Sequence, residues 1–276
     1  MKTLAGKVAV ITGAGSGFGR ELALLCAQEG MRLSLADVDE KGLEATKALL
    51  PAGTAALLQR CDVSQSWQVQ QLADRTYAEY GSAHLLFNNA GVAVAGPTWT
   101  TTEQDWEWVL GVNLMGVVHG IRNFVPRMLK QGDECHIVNT ASVAGLLAVP
   151  ASSVYCVSKH GVVVMSECLH HELQAAKASI GISVLCPAYV NTGIADAARN
   201  RPGELAAANP EAAAYEERVR QAVKKGKISA ADVARVTIDA VKENRFYILT
   251  HANIKPAVEM RLRDIIDGGQ PRNPMP

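Results

Sequence analysis

Tyr155 and Lys159 stand four residues apart, so on a helix they share one face. A phenol ordinarily releases its proton near pH ~10. To exchange a proton nearer neutrality it needs a lower pKa, and a neighbouring ammonium or a cationic cofactor ring favours the phenolate. A fall of about 2–3 units corresponds to roughly 3–4 kcal/mol of differential stabilisation. Ser142 follows the apolar run His136–Asn139 and is placed to hydrogen bond to the same substrate oxygen. Such a trio suits hydride transfer at a carbonyl carbon, with Tyr155 handling the proton.

A second group of residues binds rather than reacts. Gly13, Gly15, Ser16, Gly17, Phe18 and Gly19 form a glycine-rich turn between the apolar run Val8–Ile11 and a helix-patterned segment. Exposed N–H groups at such a helix start attract a pyrophosphate. Asp37 ends the next apolar run, where a carboxylate accepts hydrogen bonds from both ribose hydroxyls of an adenosine and repels the extra phosphate of NADP. Positions 38 and 39 are Val and Asp, with no cation to offset that repulsion. The expected cofactor is therefore NAD rather than NADP. The bland alternative is that Asp37 merely begins a turn or caps the next helix.

These residues need a scaffold, and the chain supplies one. Apolar runs recur at Val8–Ile11, Leu33–Ala36, Ala56–Gln59, Leu85–Asn88, His136–Asn139, Ser183–Cys186 and Tyr247–Leu249. Helical patterning lies between them near Phe18–Glu29, Lys41–Leu50, Gln65–Tyr80, Thr102–Lys130, Ser153–Lys177 and Ala230–Glu243. Near-continuous apolar strands alternating with helices predict a doubly wound parallel α/β sheet with helices on both faces. Asp39 or Glu40 is expected to open the second helix, and Ser229 with Asp232 to form a capping box. The segment 193–228 starts far from any strand and reads as a lid over the substrate. The tail Asp267–Pro276, rich in glycine and proline, is expected to be irregular or mobile.

The combination of glycine turn, Asp37, Ser142, Tyr155 and Lys159 resembles the short-chain dehydrogenase/reductase family, in its compact single-domain branch, from about Lys7 to Leu249. The resemblance implies a seven-stranded Rossmann-like sheet with the cofactor across its carboxyl edge. It implies one domain over 1–276, with 250–276 as a C-terminal extension. Gly13, Gly17 and Gly19 then hold the pyrophosphate, and Asp62 with Val63 meets the adenine. Asn89, Ala90 and Gly91 belong to the Asn-Asn-Ala-Gly motif lining the cofactor cleft. Asn113 matches the helix asparagine that holds a water linking the lysine to solvent. Ser142, Tyr155 and Lys159 match the catalytic set, and Pro187, Val190 and Thr192 the segment beside the nicotinamide. Phe18 replaces the usual aliphatic residue, which should alter only packing, and Ala188 replaces a glycine, which reshapes the pocket wall. The implied assembly is a homodimer or homotetramer.

The expected substrate pocket is formed by Val94, Ala95, Ala144, Leu146, Val149, Pro150, Ser152 and Tyr189, none of them charged. A buried charge without a partner is penalised, so the expected substrate is an uncharged, largely apolar alcohol or ketone, bulky or cyclic. Arg199, Arg201 and Lys224 of the lid are the cations able to swing in, and Trp99 could rim the cleft. Imine reduction, epimerisation or dehydration on the same fold is the alternative chemistry, and a dinucleotide-sensing protein without turnover the alternative class.

Composition excludes other classes. Lys plus Arg and Asp plus Glu are 27 each in 276 residues, which gives no electrostatic case for nucleic acid or an anionic membrane surface. Met1–Lys7 lacks the apolar run of a secretory signal. Cys135–Ser158 is free of Asp, Glu, Lys and Arg, but its Asn, Ser, Thr, Tyr and His content reads as a buried site rather than a membrane span. The six cysteines include no Cys-x-x-Cys pair, and His170 with His171 reads as structural or interfacial. Reduced thiols, no metal and a cytoplasmic location are the expectation. Arg261, Arg263 and Asp264 mark an exposed amphipathic helix near the end.

Overall fold

The computed structural model describes residues 1–207 and 209–274, so Pro276 of the expected irregular tail lies outside the described residues. Seven strands run β1 Val8–Thr12, β2 Arg32–Asp37, β3 Ala56–Arg60, β4 Leu85–Asn88, β5 Cys135–Thr140, β6 Ile180–Cys186 and β7 Tyr247–Leu249. They form one parallel sheet in the order β3-β2-β1-β4-β5-β6-β7. Nine α-helices are described: α1 Gly17–Gln28, α2 Glu40–Ala48, α3 Ser66–Tyr80, α4 Glu103–Leu110, α5 Gly116–Gln131, α6 Ser153–Ala175, α7 Ala213–Lys224, α8 Ala230–Glu243 and α9 Lys255–Ile266.

The strands read as unbroken apolar runs because both faces are covered. The two-residue period of a strand sends alternate side chains to opposite faces. On β1, Ala9 and Ile11 enter the core beneath α1 and α8, with Leu22, Cys26, Val233 and Ile238. Val10 enters the opposite core, with Leu72, Phe124, Met128 and Leu169 of α3, α5 and α6. On β4, Leu85 and Phe87 take the first side and Leu86 the second. The winding direction reverses between β1 and β4, and the crevice beyond their carboxyl ends is where such sheets bind ligands.

Local signals act as expected at two helix starts. Asp39 caps α2 by accepting the Gly42 N–H at 3.0 Å. Ser229 and Asp232 form the reciprocal box of α8. The segment expected as one helix over Thr102–Lys130 is divided. A π-helical turn, Gly111–Met115, separates α4 from α5. Such turns are rare and concentrate at functional sites, and this one carries Asn113. The amphipathic helix expected near the end is α9, which buries none of its residues. Residues 267–274 form no helix or strand. Five cysteines are buried free thiols, whereas Cys168 is exposed. Among the described residues, no helix is long and apolar enough to cross a membrane.

Candidate active site

The crevice between the ends of β1 and β4 begins with Thr12, which the sequence shows only as the first residue of the glycine turn. Its hydroxyl donates to the Phe87 carbonyl at 3.3 Å and accepts the N–H groups of Asn89 and Ala90 at 2.9 and 3.1 Å. Thr12 thus stitches the two strands together where the sheet order reverses. The Asn89 amide returns a bond to the Thr12 carbonyl at 3.0 Å. Gly13 takes φ +68°, and a Cβ there would lie 2.8 Å from the Ala90 Cα. Only glycine fits both the backbone conformation and the approach.

Asp37 does not cap the next helix. One carboxylate oxygen accepts the Gly15 N–H at 2.8 Å and the other the Asp39 N–H at 3.0 Å. Two carboxylate oxygens offer about four acceptor sites, more than these N–H groups use. Burial raises the Asp37 carboxyl above its ordinary value, and the N–H bonds oppose that rise. Arg60 is its register partner across β3 and also lines the crevice, a cation that the local reading around Asp37 missed.

One cleft of about 600 Å³ runs from here to the tyrosine. Ser16, Gly17, Phe18, Asp37, Asp62 and Val63 line one end. Asn89, Ala90, Gly91, Pro187, Val190 and Thr192 line the middle, and Ser142, Tyr155 and Lys159 stand beside Val94, Ala144, Val149, Ser152 and Tyr189. Gly15 and Gly19 support the turn from behind, with Gly19 packed on the Gly13 carbonyl. Phe18 packs on the α1 side of the core as well as lining the cleft. Asn113 is fully buried behind the wall. Its amide oxygen accepts the Val92 N–H at 2.8 Å, and its amide nitrogen donates to the Val92 carbonyl at 2.9 Å and the Ser158 hydroxyl at 3.1 Å.

Four pocket expectations need correction, the first being Pro150, which is exposed and does not line the cleft. Leu146 packs into the apolar cluster of Val117, Val162 and Val163 instead of facing the cleft. Ala95 is buried next to Gly96, whose N–H is held by the Ala151 carbonyl, and is not part of the cleft surface. The wall is not free of charge: Glu107, Arg199 and Glu204, all exposed, also line it. Trp99 is 86% exposed and away from the cleft, whereas buried Trp108 lines it. His170 stacks edge-on against Phe246, as a structural histidine does. Among the described residues no group of His, Cys, Asp and Glu is arranged to hold a metal.

The reacting trio comes from two elements, the loop after β5 and the start of α6. Ser142 follows β5, donates to the Pro187 carbonyl at 3.3 Å and accepts the Ala144 N–H at 3.2 Å, and its hydroxyl acts on the Tyr155 phenol to lower its pKa. Tyr155 and Lys159 lie in the first two turns of α6. The Lys159 ammonium donates to the Thr140 carbonyl at 2.8 Å and sits 5.7 Å from the Tyr155 ring centre. A Cβ on Gly145 would lie 2.6 Å from the Lys159 carbonyl, so the loop after Ser142 and the backbone of α6 meet with no room between.

Of the two sources expected to acidify the phenol, the ammonium and a cationic cofactor ring, the ammonium does not do so in the protein alone. Burial pushes Tyr155 up to about 12, and the Ser142 hydroxyl only partly offsets it. Burial also brings Lys159 down to about 8. Desolvation is the largest cause of both shifts, and the Lys159 ammonium is spent on a carbonyl. His251, beyond β7, accepts the Ala188 N–H at 3.4 Å, a contact by which the extension reaches the cleft wall and which no sequence motif signals.

A family model described as short chain dehydrogenase matches residues 7–203. The chain belongs to the short-chain dehydrogenase family. A solved short-chain dehydrogenase/reductase from Burkholderia phymatum, in complex with NAD, is 50% identical over the whole of both chains, with a TM-score of 0.97. The CLA biosynthesis dehydrogenase/reductase of Lactiplantibacillus plantarum is 34% identical over 278 residues, 98% of this chain and 97% of that protein. Levodione reductase of Leifsonia aquatica is 34% identical over 268 residues, 96% of this chain and 94% of that protein. As a short-chain dehydrogenase the chain is an oxidoreductase with the seven-stranded parallel sheet of its relatives.

Proposed function

We propose that this short-chain dehydrogenase uses NAD to interconvert a secondary alcohol and a ketone, with an apolar, bulky or cyclic substrate. The observation that carries the reading is the meeting of Ser142, Tyr155 and Lys159 where a nucleotide-shaped cleft opens into an apolar end. The residues fit NAD. Gly13 lets the turn before α1 pack directly against Ala90, with Ser16 and Gly17 at the start of that helix lining the cleft, and the Asp37 carboxylate can accept from ribose hydroxyls while repelling a 2′-phosphate. The 50% identical relative in complex with NAD supports the same choice. Bound NAD supplies or accepts the hydride.

This chain's own groups handle the oxygen. In reduction, Tyr155 gives its proton to the carbonyl oxygen, and Ser142 donates a hydrogen bond to that oxygen. The high pKa of the buried phenol keeps this proton in place at neutral pH. In oxidation, Tyr155 must accept a proton, so positive charge arriving beside it has to supply what Lys159 does not. Asn113, by gripping both sides of the Val92 peptide, and Thr12, by joining β1 to β4, hold the walls in register around these atoms.

Val94, Ala144, Leu147, Val149 and Tyr189 favour an uncharged, apolar substrate, since the Glu107, Arg199 and Glu204 liners are exposed to water. The similarity to a levodione reductase supports a ketone. The enzyme acts as a homo-oligomer, supported by Val157 and Val164, about half exposed along α6.

Two measurements test the reading. Titration with NADH and NADPH, followed by nicotinamide fluorescence, should show tighter binding of NADH. A substrate panel followed by nicotinamide absorbance should show apolar cyclic and aryl ketones turned over faster than keto acids. A preference for NADPH, or keto acids performing as well, overturns the corresponding part.

A further inference from the structure

The segment 193–224 borders the cleft in three helical pieces: short turns at Gly193–Asn200 and Gly203–Leu205, then α7. Ile194, Ala197, Pro202, Leu205 and Val223 of this segment line the cleft. Ala197 and Leu205 pack into an apolar cluster with Val92, Trp108 and Val154.

One polar fastening joins the segment to α4. The Arg201 guanidinium donates through Nη1 to Asp105 Oδ1 at 2.7 Å and through Nε to the Leu205 carbonyl at 2.6 Å. It also lies over the Trp108 ring, 5.1 Å from its centre. The side chains of Arg201 and Asp105 are only 13% and 7% exposed. Arg201 Nη2 is buried with no hydrogen-bond partner among the described residues.

The two halves of this pair are held differently. Asp105 is fixed in the first turn of α4, where its second oxygen accepts the Thr102 N–H at 2.9 Å and its own N–H donates to the Thr102 hydroxyl at 3.1 Å. Arg201 sits on the irregular stretch between two short turns. A desolvated ion pair adds little net stability, because opening returns both charges to water, yet removing one partner strands the other. The bare Nη2 tilts that balance further toward opening, since water would satisfy it. Such a contact holds one arrangement in place without making its release prohibitive.

We propose that Arg201 and Asp105 are positioning residues that latch this segment over the bound dinucleotide, and that release of the latch sets the rate at which NADH leaves. The proposal rests on the reading of the cleft as an NAD site.

Stopped-flow displacement of NADH, followed by nicotinamide fluorescence, tests it. Hydrogen–deuterium exchange across 193–207, with and without NADH, provides a second readout. Asp105→Asn keeps one oxygen for the Thr102 cap while losing the charge. Arg201→Lys keeps the charge while losing the fork and the stacking. Both should raise the NADH dissociation rate about ten-fold, equivalent to about 1.4 kcal/mol, with association changed by less than about two-fold. Exchange across 193–207 should quicken in both variants while that of α6 stays as in the wild type. The double variant should match the stronger single, because the two changes break one contact. Unchanged dissociation and exchange in both variants, even with a lower melting temperature, overturns the latch and leaves the pair a structural contact. If NADH fails to bind the wild type, the NAD reading falls, and exchange in the ligand-free variants still decides whether the pair holds the segment.

Discussion

Lys159 carries the site's clearest electrostatic cost. Its ammonium is buried against a carbonyl, and its pKa falls to about 8 from an unfolded value near 10.5. Below pH ~8 the group is charged in both states, so the folded protein bears the full penalty; above ~10.5 it is neutral in both and the penalty is gone. Lys159→Met should therefore stabilise the fold at pH 7 by up to about 3 kcal/mol, less the cost of baring the Thr140 carbonyl. That gain should shrink as the pH rises from 8 to 10.5. Denaturant melts across this range check it; a variant less stable than wild type at every pH contradicts it. The residue types and spacing of Ser142, Tyr155 and Lys159 were legible without coordinates. The direction of the tyrosine's pKa was not, because spacing shows that an ammonium lies near but says nothing of how deeply both groups are buried or that the Thr140 carbonyl accepts the ammonium's hydrogen bond.

Elements bring the trio together through close backbone packing. The loop following Ser142 touches the first turns of α6 at Gly145, where a side chain would meet the Lys159 carbonyl at 2.6 Å. Gly145→Ala should destabilise the protein by about 1–3 kcal/mol and lower kcat, since relief requires moving Ser142 away from Tyr155. Chemical denaturation with steady-state kinetics checks both parts, and unchanged stability and kcat would show that the loop has slack. The strands were readable because burial on both faces leaves them continuously apolar. The division between α4 and α5 was not, because Gly111–Met115 keeps helical patterning and a single inserted residue leaves no compositional mark. Two pieces of 193–224 escaped for another reason: Gly203–Leu205 is too short to show an amphipathic period, and Gly193–Asn200 is broken at Asp196. Leu146 and Ala95 were misplaced because sequence proximity to Ser142 and Val94 does not fix which way a loop residue points.

At the scale of the whole molecule, the sheet order places the nucleotide crevice at the β1–β4 reversal, and the trio at the end of β5 with the start of α6. Exposed Val157 and Val164 lie on one face of α6, two turns apart, and extend toward exposed Cys168. Burial of that stripe between copies predicts that Val164→Glu shifts the protein toward monomers in sedimentation velocity; an unchanged distribution would place the contact elsewhere. The central claim is that Tyr155 moves the proton while the dinucleotide moves the hydride. It is tested most directly by comparing wild type and Tyr155→Phe in NADH binding and in ketone reduction by NADH. The account predicts unaltered NADH affinity with turnover lowered by a factor of about 10²–10⁴. Turnover by the phenylalanine variant within a few-fold of the wild type would contradict it.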